Sequence, residues 1–263
     1  FLRRGSVGWM DERALVNEGS AMRVLDLFSG IGGFSLGLER AGMETAAFCE
    51  YDKKCRQVLK KHWPRVPQYE DVRTLTKEQL DKDGITDIGL ICGGFPCQDI
   101  SVGHTWEKAQ GLKGKRSGLW SEIVRLTQEV GPEFVIAENV RALSSRGLTQ
   151  CLQDLWTVGY DTEWHVISAA SIGACHLRER IWIVAYPEGK RVEGLWPKEL
   201  QITQPLDAKI LPIRNSNGQW EVEPDIRRSF DGISGRVDRL KQLGNAVVPQ
   251  IPEMIGRAIL NGS

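Results

Sequence analysis

The strongest constraint on the fold is a short apolar run that stops at glycines and restarts as a helix. Residues 22–28 read MRVLDLF, followed by SGIGG and then FSLGLERAG. The run has the character of a buried strand, and the glycines mark its exit from a sheet. Phe34, Leu38 and Ala41 then recur at helical spacing, with Gly42 placed as a C-cap. The pattern repeats. METAAFCE reads as a second strand ending at Glu50, DKKCRQVLKKHW as a helix with a basic outer face, and VPQYEDV as a short third strand. DIGLICGGF, residues 87–95, is a fourth strand that ends in glycines. SGLWSEIVRLTQEV is amphipathic, with Leu119, Ile123, Leu126 and Val130 on one face. PEFVIAENV, residues 132–140, is a fifth strand, and LTQCLQDLWTVGY is a helix capped by Gly159. TEWHVISAA and RIWIVAYP are two final strands, and PQIPEMIGRAIL is a closing helix. Strands alternating with helices specify an α/β fold with a doubly wound, mostly parallel sheet. The last two strands have little helix between them, so one of them is expected to run antiparallel.

The chain of 263 residues suits one large domain with a small insertion. Pro187, Pro197, Pro205, Pro212 and Pro224 fall in a stretch with few periodic apolar runs. Residues 187–235 therefore read as a small irregular insertion, residues 22–186 plus 236–263 as the sheet domain, and residues 1–21 as a lead-in. Lys plus Arg and Asp plus Glu are both 34, so any nucleic-acid binding must use a local basic face rather than an overall field. No apolar run approaches the roughly 20 residues of a membrane span. Residues 1–20 lack the apolar stretch of a signal peptide. The six cysteines form no C-x-x-C pair, and with four histidines they give no zinc-finger spacing. Free thiols in a reducing compartment follow, with a cytoplasmic location and no metal.

The first strand, its glycine turn and the following helix aim backbone N–H groups at a nucleotide-like ligand. An acid at the end of the second strand would accept from ribose hydroxyls, and Glu50 stands 20 residues after Gly30. The glycines, Gly30, Gly32 and Gly33, give G-x-G-G, with Ser35 where a dinucleotide fingerprint wants glycine. That favours an adenosyl ligand without a pyrophosphate over NAD. Tyr51 can stack on an adenine ring or sit half-buried as a strand-end aromatic. Asp71 can accept from an adenine amino group or stand as a surface acid.

In a doubly wound sheet the first and fourth strands are neighbours where the strand order reverses, and ligands bind at their carboxyl ends. The GGFPCQDIS loop, residues 93–101, leaves the fourth strand there. Cys97 on that loop is a candidate nucleophile, whereas Cys92 inside the strand reads as a small buried hydrophobe. Glu138 and Asn139 end the neighbouring fifth strand. A partly desolvated carboxyl there would have a raised pKa and could hold or donate a proton near neutrality.

DLFSGIGGFSLGLERAG, CEYD, EDV, GGFPCQDIS, AENV, RERIWIV and QLGNAVVPQ occur in that order. In this the chain resembles the C5-cytosine DNA methyltransferases, from Val24 to Leu260 apart from the insertion. The resemblance implies S-adenosylmethionine as cofactor, held by Phe28, Gly30, Gly32 and Glu50, with Tyr51, Asp71 and Val72 at its adenine. It places Pro96 near the target base and the sulfonium, and Asn245, Ala246 and Val247 along the cofactor wall. Cys97 becomes the nucleophile and Glu138 the group at cytosine N3 and its amino group. Arg178 and Arg180 hold the cytosine O2 and orient the site. Gln98, Ser101 and Arg116 are implied as DNA contacts, with the lysines and glycines between Asp99 and Arg116 forming a lid. The insertion falls where the family carries its target-recognition region, and the partner is double-stranded DNA met by a monomer. Two departures stand out: His176 replaces a glutamine, and IRRSFDGISGRVDRLK replaces the usual segment before the last motif. Relatives that methylate tRNA carry Cys-Phe-Thr after the Glu-Asn-Val element, and this chain has no such triplet. A silent regulatory paralogue would be expected to lose Cys97, Glu138 or Arg180, and all are present.

Overall fold

The computed structural model describes residues 21–96, 117–174, 177–190, 195–196 and 246–262. Within them β1 (Arg23–Leu27), β2 (Glu44–Cys49), β3 (Gln68–Tyr69), β4 (Ile88–Gly94), β5 (Phe134–Val140), β6 (Tyr160–Ser168) and β7 (Glu179–Pro187) form one sheet in the order β3-β2-β1-β4-β5-β7-β6. β1 to β5 are mutually parallel where they pair, and β7 runs antiparallel to both β5 and β6. The strand order reverses between β1 and β4, which puts the crevice of a doubly wound sheet at their carboxyl ends. Of the last two strands in the chain, β7 is the one that runs antiparallel to its neighbours.

The helices follow from where the apolar residues fall. α1 (Gly33–Ala41) buries Phe34 and Leu38, and ends where Gly42 adopts a left-handed φ of 107° and returns its N–H to Leu38 and Glu39 carbonyls. The closing helix, α7 (Gln250–Gly262), buries Ile251, Ile255 and Ile259. α1 and α7 pack on one face of the sheet with Val24, Leu90, Phe134, Ile136, Trp182 and Val184. α2 (Lys53–His62) leads into Trp63, whose ring meets Phe48 edge-on at 5.3 Å. The opposite face carries Leu25, Leu27, Ile91, Val135 and Ile183. They pack against α3 (Lys77–Lys82), α4 (Trp120–Val130) and α6 (Leu148–Thr157) through Leu80, Ile123, Leu126, Cys151 and Leu155. Between β5 and α6 lies the single turn α5 (Leu143–Arg146).

Several boundaries differ from the sequence reading. β3 is only Gln68–Tyr69, so Asp71 stands two residues past the strand instead of ending it. α3 and α5 carry no periodic signal because each is too short to repeat one. α6 ends at Thr157 with Val158 as its cap, and Gly159, at φ 86°, turns the chain directly into β6. Most of residues 187–235 and all of 1–20 lie outside the described residues. Leu195 and Trp196 are described, and both are buried against the α1–α7 face. Among the described residues, Cys49, Cys92 and Cys151 are free thiols, and no helix is long and apolar enough to cross a membrane.

Ile255 is fully buried at the centre of α7, so Ile255→Ala removes three methyl-sized groups from a close-packed contact. The expected loss is about 2–5 kcal/mol, read as a lowered urea midpoint at unchanged m-value. An unchanged midpoint would mean that this helix does not close the core.

Candidate active site

The glycine turn begins where β1 leaves the sheet. Phe28, Gly30 and Gly32 have φ of 52°, 55° and 87°, a run of left-handed residues that folds the chain back over the strand end. At Gly32 a side chain is excluded twice over: the conformation disfavours it, and its Cβ would come within 2.6 Å of the Trp63 ring. Gly30 N–H donates to Glu50 Oε2 at 2.7 Å, and Asp52 N–H donates to Glu50 Oε1 at 2.7 Å. Burial pushes the Glu50 carboxyl up from its ordinary value, and these two amides pull it back. A carboxylate oxygen carries two lone pairs, so each Glu50 oxygen keeps one for a ligand hydroxyl. Arg56 Nη1 donates to the carbonyl oxygens of Glu50 and Tyr51, fixing the strand end from behind. Tyr51 is 75% exposed, so it is not a half-buried strand-end aromatic. Asp71 is chelated by Arg73, whose hydrogen bonds hold its carboxyl below the usual range. Val72 beside it is buried in the core.

Behind the turn lies a group that the sequence reading passed over. Asp26 is fully buried in β1, and Ser35 Oγ donates to its Oδ2 at 2.7 Å, while Oδ1 has no hydrogen-bond partner. Burial raises its pKa to about 7 despite the Ser35 bond, with the Glu50 charge adding to the rise. Ser35, read from the sequence only as a missing glycine, ties the first turn of α1 to the strand beneath it. A carboxyl in a strand gives no pattern signal of its own, so only the packing reveals it.

β4 delivers Phe95 and Pro96 to the crevice, and Cys97, Gln98, Ser101 and Arg116 fall outside the described residues. Asn139 Nδ2 donates to the Phe95 carbonyl at 3.1 Å, so the β5 end holds the backbone just ahead of Pro96. Glu138 is almost fully buried, and Arg180 Nε donates to its Oε1 at 2.9 Å. Glu138 pairs with Trp182 and Val140 with Arg180 across β5 and β7, so the acid and the arginine are diagonal neighbours on one sheet face. Burial raises the Glu138 carboxyl, opposed by the charges of Arg180 and then Arg178. Arg178, with φ 29°, sends Nη2 to the Ala246 carbonyl at 2.7 Å, so this arginine fastens the segment before α7 to the site. Val247 follows Ala246, and its carbonyl oxygen would lie 2.6 Å from a Cβ on Gly33, a close approach that glycine alone permits. Asn245 lies outside the described residues. The structure therefore gathers Phe28, Gly30, Gly32, Glu50, Tyr51, Pro96, Glu138, Arg180, Arg178, Ala246 and Val247 along one sheet edge, with Asp71 and Val72 beyond β3. Among the described residues no group of three or more His, Cys, Asp or Glu is placed to hold a metal.

A model of the C-5 cytosine-specific DNA methylase family matches residues 22–227. The chain belongs to that family. Type II methyltransferases are among its relatives: M.Sau3AI of Staphylococcus aureus is 31% identical over 183 residues, covering 64% of this chain and 44% of that protein. M.HhaI of Haemophilus parahaemolyticus is 27% identical over 198 residues, covering 73% of this chain and 58% of its own. The chain thus spans about half the length of such relatives. Among solved structures, a protein described as a DNA modification methyltransferase encoded within an E. coli prophage superposes with a TM-score of 0.54 at 28% identity, covering 64% of this chain and 47% of that one. The Dnmt2 methyltransferase of S. pombe shares the fold at a TM-score of 0.54 and 20% identity, over 72% of this chain and 58% of its own.

The Asp26 environment generates a pH dependence. Its folded pKa of about 7 exceeds the ordinary 3.8, so the folded state binds the extra proton between those values. This group's stabilising contribution is therefore complete below about pH 4 and is lost as pH rises through about 7. Asp26→Asn lacks the titration. Its stability relative to the parent chain is expected to rise by roughly a few kcal/mol between pH 5 and pH 8.5 in urea unfolding. A constant difference across that range would show that Asp26 is charged throughout.

Proposed function

We propose that the chain is a DNA (cytosine-5-)-methyltransferase that moves a methyl group from S-adenosylmethionine to carbon 5 of a flipped-out cytosine. The observation that carries this reading is the convergence of the Glu50-bound glycine turn after β1 and the Arg180-bound Glu138 of β5 on the carboxyl edge of the sheet, with Phe95 and Pro96 after β4 between them. The residues fit the cofactor. Glu50 keeps lone pairs for ribose hydroxyls, Gly30 and Gly32 leave no side chains over the turn, and Tyr51 offers an exposed ring for adenine. Asp71 and Val72 would meet the base of the adenosyl group, and Asn245, Ala246 and Val247 would form the far wall. When bound, S-adenosylmethionine supplies an electrophilic methyl on a sulfonium.

The protein's work is on the pyrimidine. Carbon 5 of cytosine is a poor nucleophile. The Cys97 thiolate adds to carbon 6, breaking the 5,6 double bond and pushing electron density toward carbon 5 and N3. Glu138, whose carboxyl burial raises above its ordinary value against the pull of Arg180, shares a proton with N3 as that density builds. Arg180 both fixes the Glu138 carboxyl and presents a cation beside O2. Arg178 orients the site from the C-terminal side. Once carbon 5 carries the methyl group, a base removes the carbon-5 proton. The electron pair reforms the double bond and expels the thiolate. Reaching these atoms requires extrusion of the base from the duplex, at a cost of a few kcal/mol. Gln98, Ser101 and Arg116, with the neighbouring lysines, would contact the backbone and close over the base. Residues 187–235 would read a short target sequence. The working form would be a monomer on double-stranded DNA, in the cytoplasm of a bacterial cell or phage-infected host.

Labelled S-adenosylmethionine offered with DNA or with tRNA tests the reading, and label in DNA alone is expected. Cys97→Ala should abolish transfer, and Glu138→Gln should lower kcat by about 10²–10⁴-fold with a smaller effect on DNA binding. Equal transfer by the chain and Cys97→Ala would overturn the nucleophile, and label in tRNA would overturn the substrate.

A further inference from the structure

α4 touches two parts of the candidate site that the sheet itself leaves unconnected. At its first residue the buried Trp120 ring lies 5.0 Å from that of Phe95, the residue before Pro96. The Trp120 indole N–H donates to Asp154 Oδ2 on α6 at 2.9 Å, which fixes the ring's direction. Five residues along the same helix, about 7.5 Å of rise, stands Arg125. Its Nε and Nη1 are held by Glu122 Oε2 at 2.8 Å and Glu129 Oε1 at 2.7 Å, carboxylates one turn before and after it. Pairs at this spacing are common on helix surfaces and taken alone contribute only tenths of a kcal/mol. Here they have a geometric result. With the other nitrogens held, Nη2 points off the helix and donates to two backbone carbonyls, Val72 and Leu75, both at 2.9 Å. Those carbonyls belong to the turn opened by Asp71, closed by the Thr74 N–H to the Asp71 carbonyl at 3.1 Å.

We propose that Arg125 is a positioning residue for the adenine end of the cofactor site. It sets the Asp71–Leu75 turn at a fixed height on the helix that braces the Phe95–Pro96 turn. The inference rests on the cofactor reading above. β3 is too short to do this work, since its two residues end before Asp71. Arg125 touches no ligand. It acts through the turn, and the planar fork of a guanidinium is needed to reach two carbonyls while bound to two carboxylates. A lysine has a single nitrogen and holds the turn less well.

The test uses the whole chain and two nucleoside probes, S-adenosylhomocysteine and S-inosylhomocysteine, in which the adenine amino group becomes a carbonyl. Binding of each is measured by calorimetry. The parent chain is expected to favour the adenosyl form. Arg125→Met is expected to weaken S-adenosylhomocysteine about tenfold and to shrink the preference by at least about threefold, with Arg125→Lys between the two. A merely structural role would weaken both probes alike and leave their ratio unmoved. Thermal melting confirms that each variant is folded, and Arg125→Lys carries the test if the methionine variant is not. Unchanged ratios in the folded variants would overturn the proposal. A parent chain that binds both probes equally would overturn it as well, while leaving the cofactor reading intact. A parent chain that binds neither would remove the cofactor reading and this inference together.

Discussion

The carboxylate of Glu50 is the fastener on which the site depends. It stands at the end of one strand and receives an amide proton from the glycine turn at the end of the next. Phe28, Gly30 and Gly32 all hold left-handed conformations, each of which a flexible chain leaves readily. One charge-assisted bond from Gly30, backed by the Asp52 amide and by Arg56 on the carbonyls behind, turns that loop into a shaped rim. Behind the rim, the Ser35–Asp26 bond pins the start of α1 to β1. The helix N-terminus is thus aimed before any ligand arrives, which is the preorganisation that makes such a turn a binding site.

The second half of the crevice is governed by a different balance. Glu138 is buried where an isolated carboxylate would cost several kcal/mol, and the Arg180 guanidinium opposes that cost without removing it. The net result is a carboxyl raised above its ordinary value, the direction that favours holding a proton. Asn139, next along the strand, holds the Phe95 carbonyl, so one strand end both tunes the acid and steadies the neighbouring turn.

Much of this was legible in the sequence, for physical reasons. Apolar runs closed by glycines announce parallel strands, and the spacing of Glu50 from Gly30 announces the crossover that joins them. The motifs around Pro96 and Glu138 gave a resemblance that the family match over residues 22–227 bears out, and the motif around Val247 lies beyond the matched residues. What stayed hidden depends on contacts between residues far apart in the chain. Arg125 reaches carbonyls 53 and 50 residues earlier, and nothing in LWSEIVRLTQEV distinguishes it from a solvated helix arginine. Asp26 looks like any polar residue in a strand until its burial is seen. α3, with only Leu80 buried, is too brief to declare a period. Arg178 reaches the Ala246 carbonyl, 68 residues later in the chain, a contact that no local pattern announces.

The reversed direction of β7 has a consequence for how this scaffold tolerates change. Because β7 runs against β5, its first residues arrive beside the last residues of β5, and Arg180 meets Glu138 within the ladder itself. Their placement is then set by the register of the ladder, whose strands lie about 4.8 Å apart, and not by the length of any connection. Insertions and deletions in the surrounding loops can therefore be absorbed without parting the acid from its arginine.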